Sequence, residues 1–219
     1  MSVATDAPKI KFCGITTVAD AERAAALDAW AIGLIFWPGS PRRCALDTAN
    51  EIAAAVKRRL RVVGVFSNAK LDEVASTADA VGLTMLQLHG DEGPVYCGEA
   101  ARRTGCEVIK AARVRGGAEI QALMPFHTDY HLLDSYVPGK PGGTGESFDW
   151  ALARVHGRTP PVILSGGLTP ENVAAAIGAV HPFAVDVASG VERAPGVKDP
   201  DRLEAFADAV RSTAALTAR

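Results

Sequence analysis

The stretch KIKFCGIT, residues Lys9–Thr16, combines the features that decide the fold. A short β-rich run ends at Cys13, Gly14 permits a tight turn, and Thr16 offers a cap for a following helix. A thiol at the carboxyl end of the first strand lies where parallel α/β folds build their active sites. Because a single cysteine is more often a small buried hydrophobic residue, the rest of the chain has to decide between the two interpretations.

The order seen in this stretch, a β-rich run followed by a turn and an alanine-rich amphipathic segment, recurs along the chain. Most of the β-rich runs are nearly continuously apolar, as parallel strands covered on both faces should be. The predicted strands are Lys9–Phe12, Ala31–Phe36, Val62–Phe66, Met85–Leu88, Glu107–Lys110, Tyr130–Asp134, Pro161–Leu164 and Phe183–Val187. The predicted helices are Val18–Leu27, Leu46–Arg59, Lys70–Val81, Glu92–Thr104, Gly117–Met124, Phe148–Val155, Pro170–Ile177 and Pro200–Leu216. Thr169 and Pro170 fit the cap and the first residue of the seventh helix.

Eight strands alternating with eight helices predict a closed (β/α)8 TIM barrel, formed by residues 1–219 as a single domain. A doubly wound open sheet is the structural alternative, but it usually has fewer strands and one ligand crevice at a switch point. The residues that suggest chemistry follow many different strands. This distribution favours a barrel, in which all strand ends converge on one mouth.

Composition limits the classes of function. The chain has 219 residues, 48% of them hydrophobic, and a formal net charge of −2, which argues against binding to nucleic acid or to a membrane surface. Its N-terminus lacks the pattern of a signal peptide, and no apolar run approaches the ~18 residues of a membrane span. The four cysteines show no CxxC pair and no zinc-like spacing, so we expect a cytoplasmic protein with reduced thiols and no metal site. Structural roles are expected for Cys44, Cys97 and Cys106.

The mouth of the predicted barrel would collect polar side chains from several strand ends. Those expected there are Cys13 after the first strand, Arg42 or its neighbour Arg43 after the second, His89 after the fourth, Asp134 after the sixth and Asp186 near the end of the eighth. The positions of Cys13 and Asp134 indicate acid–base chemistry on a small molecule.

Three glycine-rich turns follow the last three predicted strands and favour a phosphorylated ligand. They are Gly143-Thr144-Gly145, Ser165-Gly166-Gly167 and Ser189-Gly190. Turns use glycine routinely, so each one alone is weak evidence. Together their backbone N–H groups can point at one phosphate, and a short helix opening at Ser189 would add its N-terminus.

Motifs in order along nearly the whole chain carry a more specific indication. They are KFCGIT (11–16), QLHG (87–90), LDS (133–135), GGTG (142–145) with FDW (148–150), SGGL (165–168) and DVASGVE (186–192). Together they resemble the phosphoribosylanthranilate isomerase family of tryptophan biosynthesis. The resemblance implies an Amadori rearrangement of N-(5-phosphoribosyl)anthranilate to 1-(2-carboxyphenylamino)-1-deoxyribulose 5-phosphate, with no metal and no organic cofactor.

The resemblance also implies roles for individual residues. Asp134 would be the general acid that protonates the furanose ring oxygen, and Cys13 the general base that removes the proton from C2. Arg42 would bind the anthranilate carboxylate through its guanidinium fork. His89 is either a substrate contact or an ordinary polar residue at a strand end. Asp186 binds a ribose-derived hydroxyl or orients its neighbours, and it is the alternative acid if Asp134 is not.

The proposed base needs help from its surroundings. A free thiol has a pKa of about 8.5, so little thiolate is present at neutral pH without a stabilising charge. Lys11 lies on the same face of the strand as Cys13 but at a different depth, so the sequence does not assign this task to it.

Two other kinds of function stay open at this point. A pentose-phosphate epimerase or a histidine-pathway aldose–ketose isomerase would use similar phosphate loops. Many such epimerases need several metal-binding side chains. The histidine-pathway enzymes use aspartates after strands one and five, where this chain has Cys13 and Lys110. A non-catalytic barrel that binds a phosphorylated ligand would not need both Cys13 and Asp134. The expected partner is a small phosphoribosyl substrate, with no nucleic acid, membrane or obligate protein partner, and a monomer is preferred to a dimer.

Overall fold

The parallel strands of the chain form a closed barrel. The computed structural model describes residues 7–135, 156 and 159–217. Eight strands follow one another in chain order around the barrel, and pairing of the last strand with the first closes it. They are β1 (Lys9–Cys13), β2 (Ala31–Ile35), β3 (Arg61–Phe66), β4 (Met85–Leu88), β5 (Glu107–Val114), β6 (Tyr130–Ser135), β7 (Val162–Ser165) and β8 (Ala184–Val187). The prediction of a (β/α)8 TIM barrel is therefore confirmed.

Helices alternate with these strands and cover the barrel. They are α1 (Val18–Ala26), α2 (Leu46–Val56), α3 (Leu71–Val81), α4 (Pro94–Thr104), α5 (Gly117–Gln121), α6 (Val173–Val180) and α7 (Pro200–Thr217). The apolar faces of six of these helices pack with strand residues in one large core, which includes Phe12, Ile52 and Phe206, whereas Ile120 of α5 belongs to a smaller cluster. The predicted helix Phe148–Val155 lies outside the described residues. Within the described ranges, no helix combines the length and the apolar character needed to cross a membrane.

The cap of α1 differs from the prediction by one residue. Thr17, not Thr16, is the N-cap, and its hydroxyl accepts a hydrogen bond from the Asp20 N–H at 3.1 Å. The hydroxyl of Thr16 instead donates to the Gly196 carbonyl at 2.6 Å. Two adjacent threonines offer the same capping chemistry, and a contact distant in the chain decides between them.

The start of α6 also differs from the prediction, since the helix begins at Val173 and not at Pro170. Asn172 explains the later start. Its side chain accepts a hydrogen bond from the Thr169 N–H at 2.8 Å and donates one to the Gly167 carbonyl at 2.9 Å. These bonds stabilise a turn in the segment before the helix.

β5 continues past its predicted end at Lys110 and reaches Val114. A lysine usually avoids a buried strand, but the ammonium of Lys110 lies 2.9 Å from the carboxylate of Glu92, and both side chains are buried. Farther along the strand, Arg113 lies opposite Asp134 of β6. Alternation from Ile109 and Ala111 makes Arg113 the last residue of β5 that faces the barrel interior. Arg113, not Lys110, is therefore the residue to compare with the histidine-pathway isomerases, and it is no aspartate either.

Strand alternation places a polar layer next to an apolar one inside the barrel. The apolar layer is a cluster of buried side chains from seven strands: Ala31, Val63, Met85, Ile109, Ala111, Leu132, Ile163 and Ala184. Two residues farther along, the same strand faces carry Gly33, Gln87, Asp134, Ser165 and Asp186, while β1 adds Lys11 and Cys13. The interior therefore becomes polar toward the carboxyl ends of the strands, where a barrel builds its site.

A hairpin that the sequence did not predict follows β8. Ser189–Val191 forms a short 3-10 helix, in agreement with a helix opening at Ser189. The antiparallel strands β9 (Glu192–Ala194) and β10 (Val197–Lys198) come next. The hairpin brings Lys198 to the end of β1, where its ammonium donates to the Cys13 carbonyl at 2.6 Å.

Candidate active site

Cys13 ends β1 and is almost completely buried. Gly14 follows with a φ of +72°, a conformation that favours glycine, and its N–H donates to the Gly33 carbonyl at 2.9 Å. Gly33 leaves room beside the sulfur, because a Cβ at this position would lie 2.7 Å from Cys13 Sγ and 3.1 Å from Lys11 Nζ. The thiol and the ammonium therefore share the space that a side chain at position 33 would fill.

Lys11 and Asp186 form a buried ion pair next to this thiol. Lys11 Nζ lies 2.6 Å from Asp186 Oδ1, and the side chains are 0% and 6% exposed. Ser165 donates its hydroxyl to Asp186 Oδ2 at 2.9 Å, so both carboxylate oxygens have a partner. Lys11 also lies beside the side chain of Cys13, and the two groups interact electrostatically. This arrangement favours an orienting role for Asp186 among the roles left open by the sequence.

Burial and nearby charges shift the pKa of Cys13 in opposite directions. Burial raises the pKa of the thiol, the Lys11 ammonium lowers it, Asp186 raises it and Lys198 lowers it, and the net shift is upward. Burial would also lower the pKa of Lys11, but the negative charges of Asp186 and Cys13 outweigh burial and raise it. The thiolate of Cys13 therefore depends on its contacts with cations.

Arg42 lies beside the end of β1, whereas Arg43 is exposed. Arg42 binds the Glu192 carboxylate through Nε, at 2.9 and 3.0 Å, and through Nη2, at 2.7 Å. The ammonium of Lys198 donates to the same carboxylate at 2.9 Å. Burial alone would raise the pKa of Glu192, but these two cations lower it. Because two cations share one carboxylate, the cluster keeps a net positive charge, and the position of Arg42 favours it over Arg43 as a ligand for an anion.

His89 contacts Asp134 at another part of the mouth. His89 Nε2 lies 3.3 Å from Asp134 Oδ2, and both side chains are partly exposed. Gln87 lies on β4, where its Nε2 is 2.9 Å from His89 Nδ1. The Gln87 Oε1 atom is buried and has no hydrogen-bond partner among the described residues. Gln87 thus holds the imidazole of His89 against the carboxyl group of Asp134.

Glu92 stabilises the turn that contains His89. Its carboxylate accepts hydrogen bonds from the Asn68 N–H at 2.7 Å and the Gly90 N–H at 2.8 Å. Lys110 donates to the same carboxylate at 2.9 Å and to the Gly90 carbonyl at 2.7 Å. The buried ion pair outside the barrel thereby fixes the loop that follows β4.

The loops after β7 and β8 touch each other. Gly166 and Gly167 have φ values of +87° and +64°, which favour glycine. Gly190 allows the close approach, because a Cβ there would lie 1.9 Å from the Leu168 carbonyl oxygen. The hydroxyl of Ser165 is committed to Asp186, so a phosphate contact at this residue would use its backbone. The predicted phosphate ligands Gly143, Thr144 and Gly145 lie outside the described residues.

Sequence reasoning assigned no role to four residues that shape this site: Lys11, which it considered and set aside, Gln87, Glu192 and Lys198. Lys11 and Gln87 could have been singled out from the sequence, because each is a long polar residue in a predicted strand that is mostly apolar. Glu192 and Lys198 belong to a hairpin with no strong strand pattern, and only the fold places them beside β1. Across the described residues, no group of three or more His, Cys, Asp or Glu side chains could hold a metal ion.

Both the sequence and the fold are similar to those of known isomerases. The family model described as N-(5'phosphoribosyl)anthranilate (PRA) isomerase matches residues 10–209. The N-(5'-phosphoribosyl)anthranilate isomerase of Citrifermentans bemidjiense is 47% identical over 198 residues, which cover 89% of this chain and 93% of that protein. The crystal structure of phosphoribosyl anthranilate isomerase from Thermotoga maritima matches with a TM-score of 0.86 and 37% identity, covering 94% of this chain and 99% of that one.

A further similar structure contains a ligand. It is a phosphoribosyl anthranilate isomerase in complex with reduced 1-(o-carboxyphenylamino)-1-deoxyribulose 5-phosphate. The match has a TM-score of 0.82 and 35% identity, and it covers 94% of this chain and 99% of that chain.

Proposed function

Because the chain belongs to the N-(5'-phosphoribosyl)anthranilate isomerase family, we propose that Cys13 and Asp134 carry its reaction as general base and general acid. The enzyme is an isomerase of the aldose–ketose type that acts in tryptophan biosynthesis. Its substrate is N-(5-phosphoribosyl)anthranilate, and its product is 1-(2-carboxyphenylamino)-1-deoxyribulose 5-phosphate. The reaction moves protons and opens a ring, so suitably placed acids and bases are the chemistry it needs.

The proposed mechanism has two proton transfers. The carboxyl group of Asp134 donates a proton to the furanose ring oxygen, and the bond from this oxygen to C1 breaks, which leaves a Schiff base at C1. The sulfur of Cys13 then takes the proton from C2. The electron pair of the C2–H bond becomes the C1–C2 double bond of an enolamine, which tautomerises to the ketone.

The observation that carries this proposal is the polar layer at the carboxyl end of the barrel. Cys13 ends β1 and Asp134 lies near the end of β6, and both share the strand face whose other residues fill the barrel interior. Each side chain has a polar neighbour at the mouth: Lys11 lies beside Cys13, and His89 contacts Asp134. Acid and base therefore face the same mouth from different strands, which is the arrangement that catalysis in a barrel requires.

Two regions of positive charge or backbone donors fit the anionic ends of the substrate. The cluster of Arg42, Lys198 and Glu192 keeps a net positive charge, and the guanidinium N–H groups of Arg42 that do not bind Glu192 can bind a carboxylate such as that of anthranilate. The touching loops after β7 and β8 offer glycine-rich backbone for the phosphate at Gly166, Gly167 and Gly190. Gly143, Thr144 and Gly145 are proposed to complete this phosphate site.

A cytoplasmic location belongs to the same proposal. All four cysteines are free, and this supports a reducing compartment. The proposed partner is the small phosphoribosyl substrate.

Replacing Asp134 with asparagine tests the acid. Asp134→Asn should lower kcat by about 10²- to 10⁴-fold, because the amide cannot donate the proton that opens the ring. Binding of reduced 1-(o-carboxyphenylamino)-1-deoxyribulose 5-phosphate, measured by titration calorimetry, should stay close to that of the unchanged enzyme. Asp47→Asn, an exposed carboxylate in the first turn of α2, is the matched control and should leave kcat unchanged. An Asp134→Asn enzyme with normal kcat would move the acid to another residue.

A further inference from the structure

Lys11 is a buried charge that the reaction as proposed does not use. Its side chain has no solvent exposure, although the neighbouring layer of the barrel interior is apolar. Burying an ammonium costs several kcal/mol, and replacing a buried ion pair by apolar residues is often neutral or stabilising. Stability is therefore a weak explanation for a lysine at this position, and its contacts point to a role at the site.

The ammonium of Lys11 donates to the Asp186 carboxylate at 2.6 Å and lies beside the Cys13 sulfur. Asp186 lies directly opposite Lys11 in the pairing of β1 with β8, and Ser165 holds the other carboxylate oxygen. Gly33 of β2 has no side chain at this point, so no group on β2 separates the Lys11 ammonium from the Cys13 sulfur. The ammonium is thus held on one side by a fixed anion and faces the thiol on the other.

Lys198 is the other cation near Cys13, but it cannot serve the sulfur in the same way. An ammonium has three N–H donors. Those of Lys198 are taken by the carbonyls of Cys13, at 2.6 Å, and Ala188, at 2.9 Å, and by the Glu192 carboxylate, at 2.9 Å. Lys11 has one such bond, to Asp186, and donors left for the sulfur.

We propose that Lys11 is a positioning residue for the catalytic base: its ammonium, held by Asp186, hydrogen-bonds the Cys13 sulfur and stabilises the thiolate. The inference rests on the role proposed for Cys13 as base. When the thiolate takes the proton from C2, the C2–H electron pair forms the C1–C2 double bond and the π electrons of the Schiff base move to its nitrogen. Lys11 keeps its protons throughout, and its hydrogen bond weakens as the sulfur becomes neutral.

The titration of Cys13 in the enzyme without substrate tests this proposal. The rate of alkylation by iodoacetamide is measured from pH 6 to pH 11, and mass spectrometry of the peptide that contains Cys13 separates it from the other cysteines. Lys11→Met should move the midpoint upward by about one pH unit or more, which lowers the alkylation rate at pH 7 about ten-fold or more.

A second variant keeps the test decisive if Lys11→Met does not fold. Asp186→Asn keeps Lys11 and removes the carboxylate that raises the pKa of Cys13, so the midpoint of Cys13 should move downward. Lys110→Met is the matched control, because it removes another buried lysine that pairs with a buried carboxylate but does not touch Cys13. The midpoint of Cys13 should stay where it is in this control. If Lys11 had only a structural role, Lys11→Met and Asp186→Asn would not shift the alkylation midpoint of Cys13 in opposite directions.

Turnover provides the remaining readout. In Lys11→Met, the acidic limb of the pH profile of kcat/KM should move upward by the same amount as the alkylation midpoint. An unchanged Cys13 midpoint in both Lys11→Met and Asp186→Asn would overturn the inference about Lys11. Undiminished turnover by Cys13→Ser would instead overturn the proposed base and leave the alkylation result intact, so the two failures are distinguishable.

Discussion

Arg42 and Arg43 are adjacent in sequence but occupy different environments. Arg42 crosses the end of β1 next to Gly14 and binds Glu192, whereas Arg43 is exposed. The sequence could not separate them, because both follow the same strand and have the same charge. The distinction comes from the hairpin that carries Glu192, 150 positions away in the chain.

Alanine substitution of each arginine tests which one binds the substrate carboxylate. Arg42→Ala should raise KM by about 10-fold or more with a smaller change in kcat, because a charge-assisted hydrogen bond to the substrate is lost. Glu192 still pairs with Lys198 in this variant, so the fold should persist. Arg43→Ala serves as the control and should change KM less than about two-fold. A larger effect on KM from Arg43→Ala, or a loss confined to kcat in Arg42→Ala, would contradict this assignment.

For Lys11, the strand face could be predicted from the sequence, but its ion pair could not. Alternation along β1 places it on the face of Cys13, and this much is visible in the stretch Lys9–Thr16. The expected difference in depth is bridged by the length of the lysine side chain, which reaches both Asp186 and the sulfur. Because Asp186 approaches only through closure of the barrel, the ion pair could not be predicted from the local sequence.

At the scale of elements, the strands were predictable and their ends were less so. Runs of apolar residues locate all eight barrel strands, since a strand buried on both faces leaves little choice of residue. β5 shows the weakness of this signal: the predicted strand stops at Lys110, yet β5 continues to Val114, and Glu92 from another loop pairs with the buried Lys110. The start of helix α6 was also mispredicted, because the side chain of Asn172 stabilises a turn and the helix begins only at Val173. The element ends depend on partners that are distant in sequence.

At the scale of the whole molecule, closure of the barrel brings together residues such as Lys11 and Asp186, which are 175 positions apart. The fold also buries a pair of histidines on the side of β6. His131 Nδ1 lies 2.6 Å from His156 Nε2, and its other nitrogen contacts the Phe126 carbonyl at 3.2 Å. Burial, together with His156, lowers the pKa of His131 to about 4. The native fold therefore holds His131 in its neutral form.

Stability should consequently fall in mild acid. The unfolded chain binds a proton at His131 with a pKa of about 6.5, whereas the native state resists protonation down to about pH 4. The contribution of His131 is thus complete above pH 6.5 and is lost as the pH falls toward 4, by roughly 2–3 kcal/mol at pH 4.5. Urea unfolding at pH 7 and pH 4.5 measures this loss, which should be smaller by that amount in His131→Gln. His127→Gln changes an exposed histidine and should retain the full loss; equal losses in all three proteins would contradict the prediction.

Cys13 offers the most direct measurement of the central claim, that this barrel isomerises its substrate with a thiol as base. Fluorescence follows the consumption of N-(5-phosphoribosyl)anthranilate, generated in situ from anthranilate and phosphoribosyl pyrophosphate. The unchanged enzyme and Cys97→Ser, which alters a buried cysteine of α4, should consume it far faster than it decays spontaneously. Cys13→Ser should be slower by about 10²- to 10⁴-fold, because a hydroxyl is a much poorer base. Equal rates for Cys13→Ser and the unchanged enzyme would remove the thiol from the mechanism, and consumption by the unchanged enzyme no faster than spontaneous decay would contradict the account as a whole.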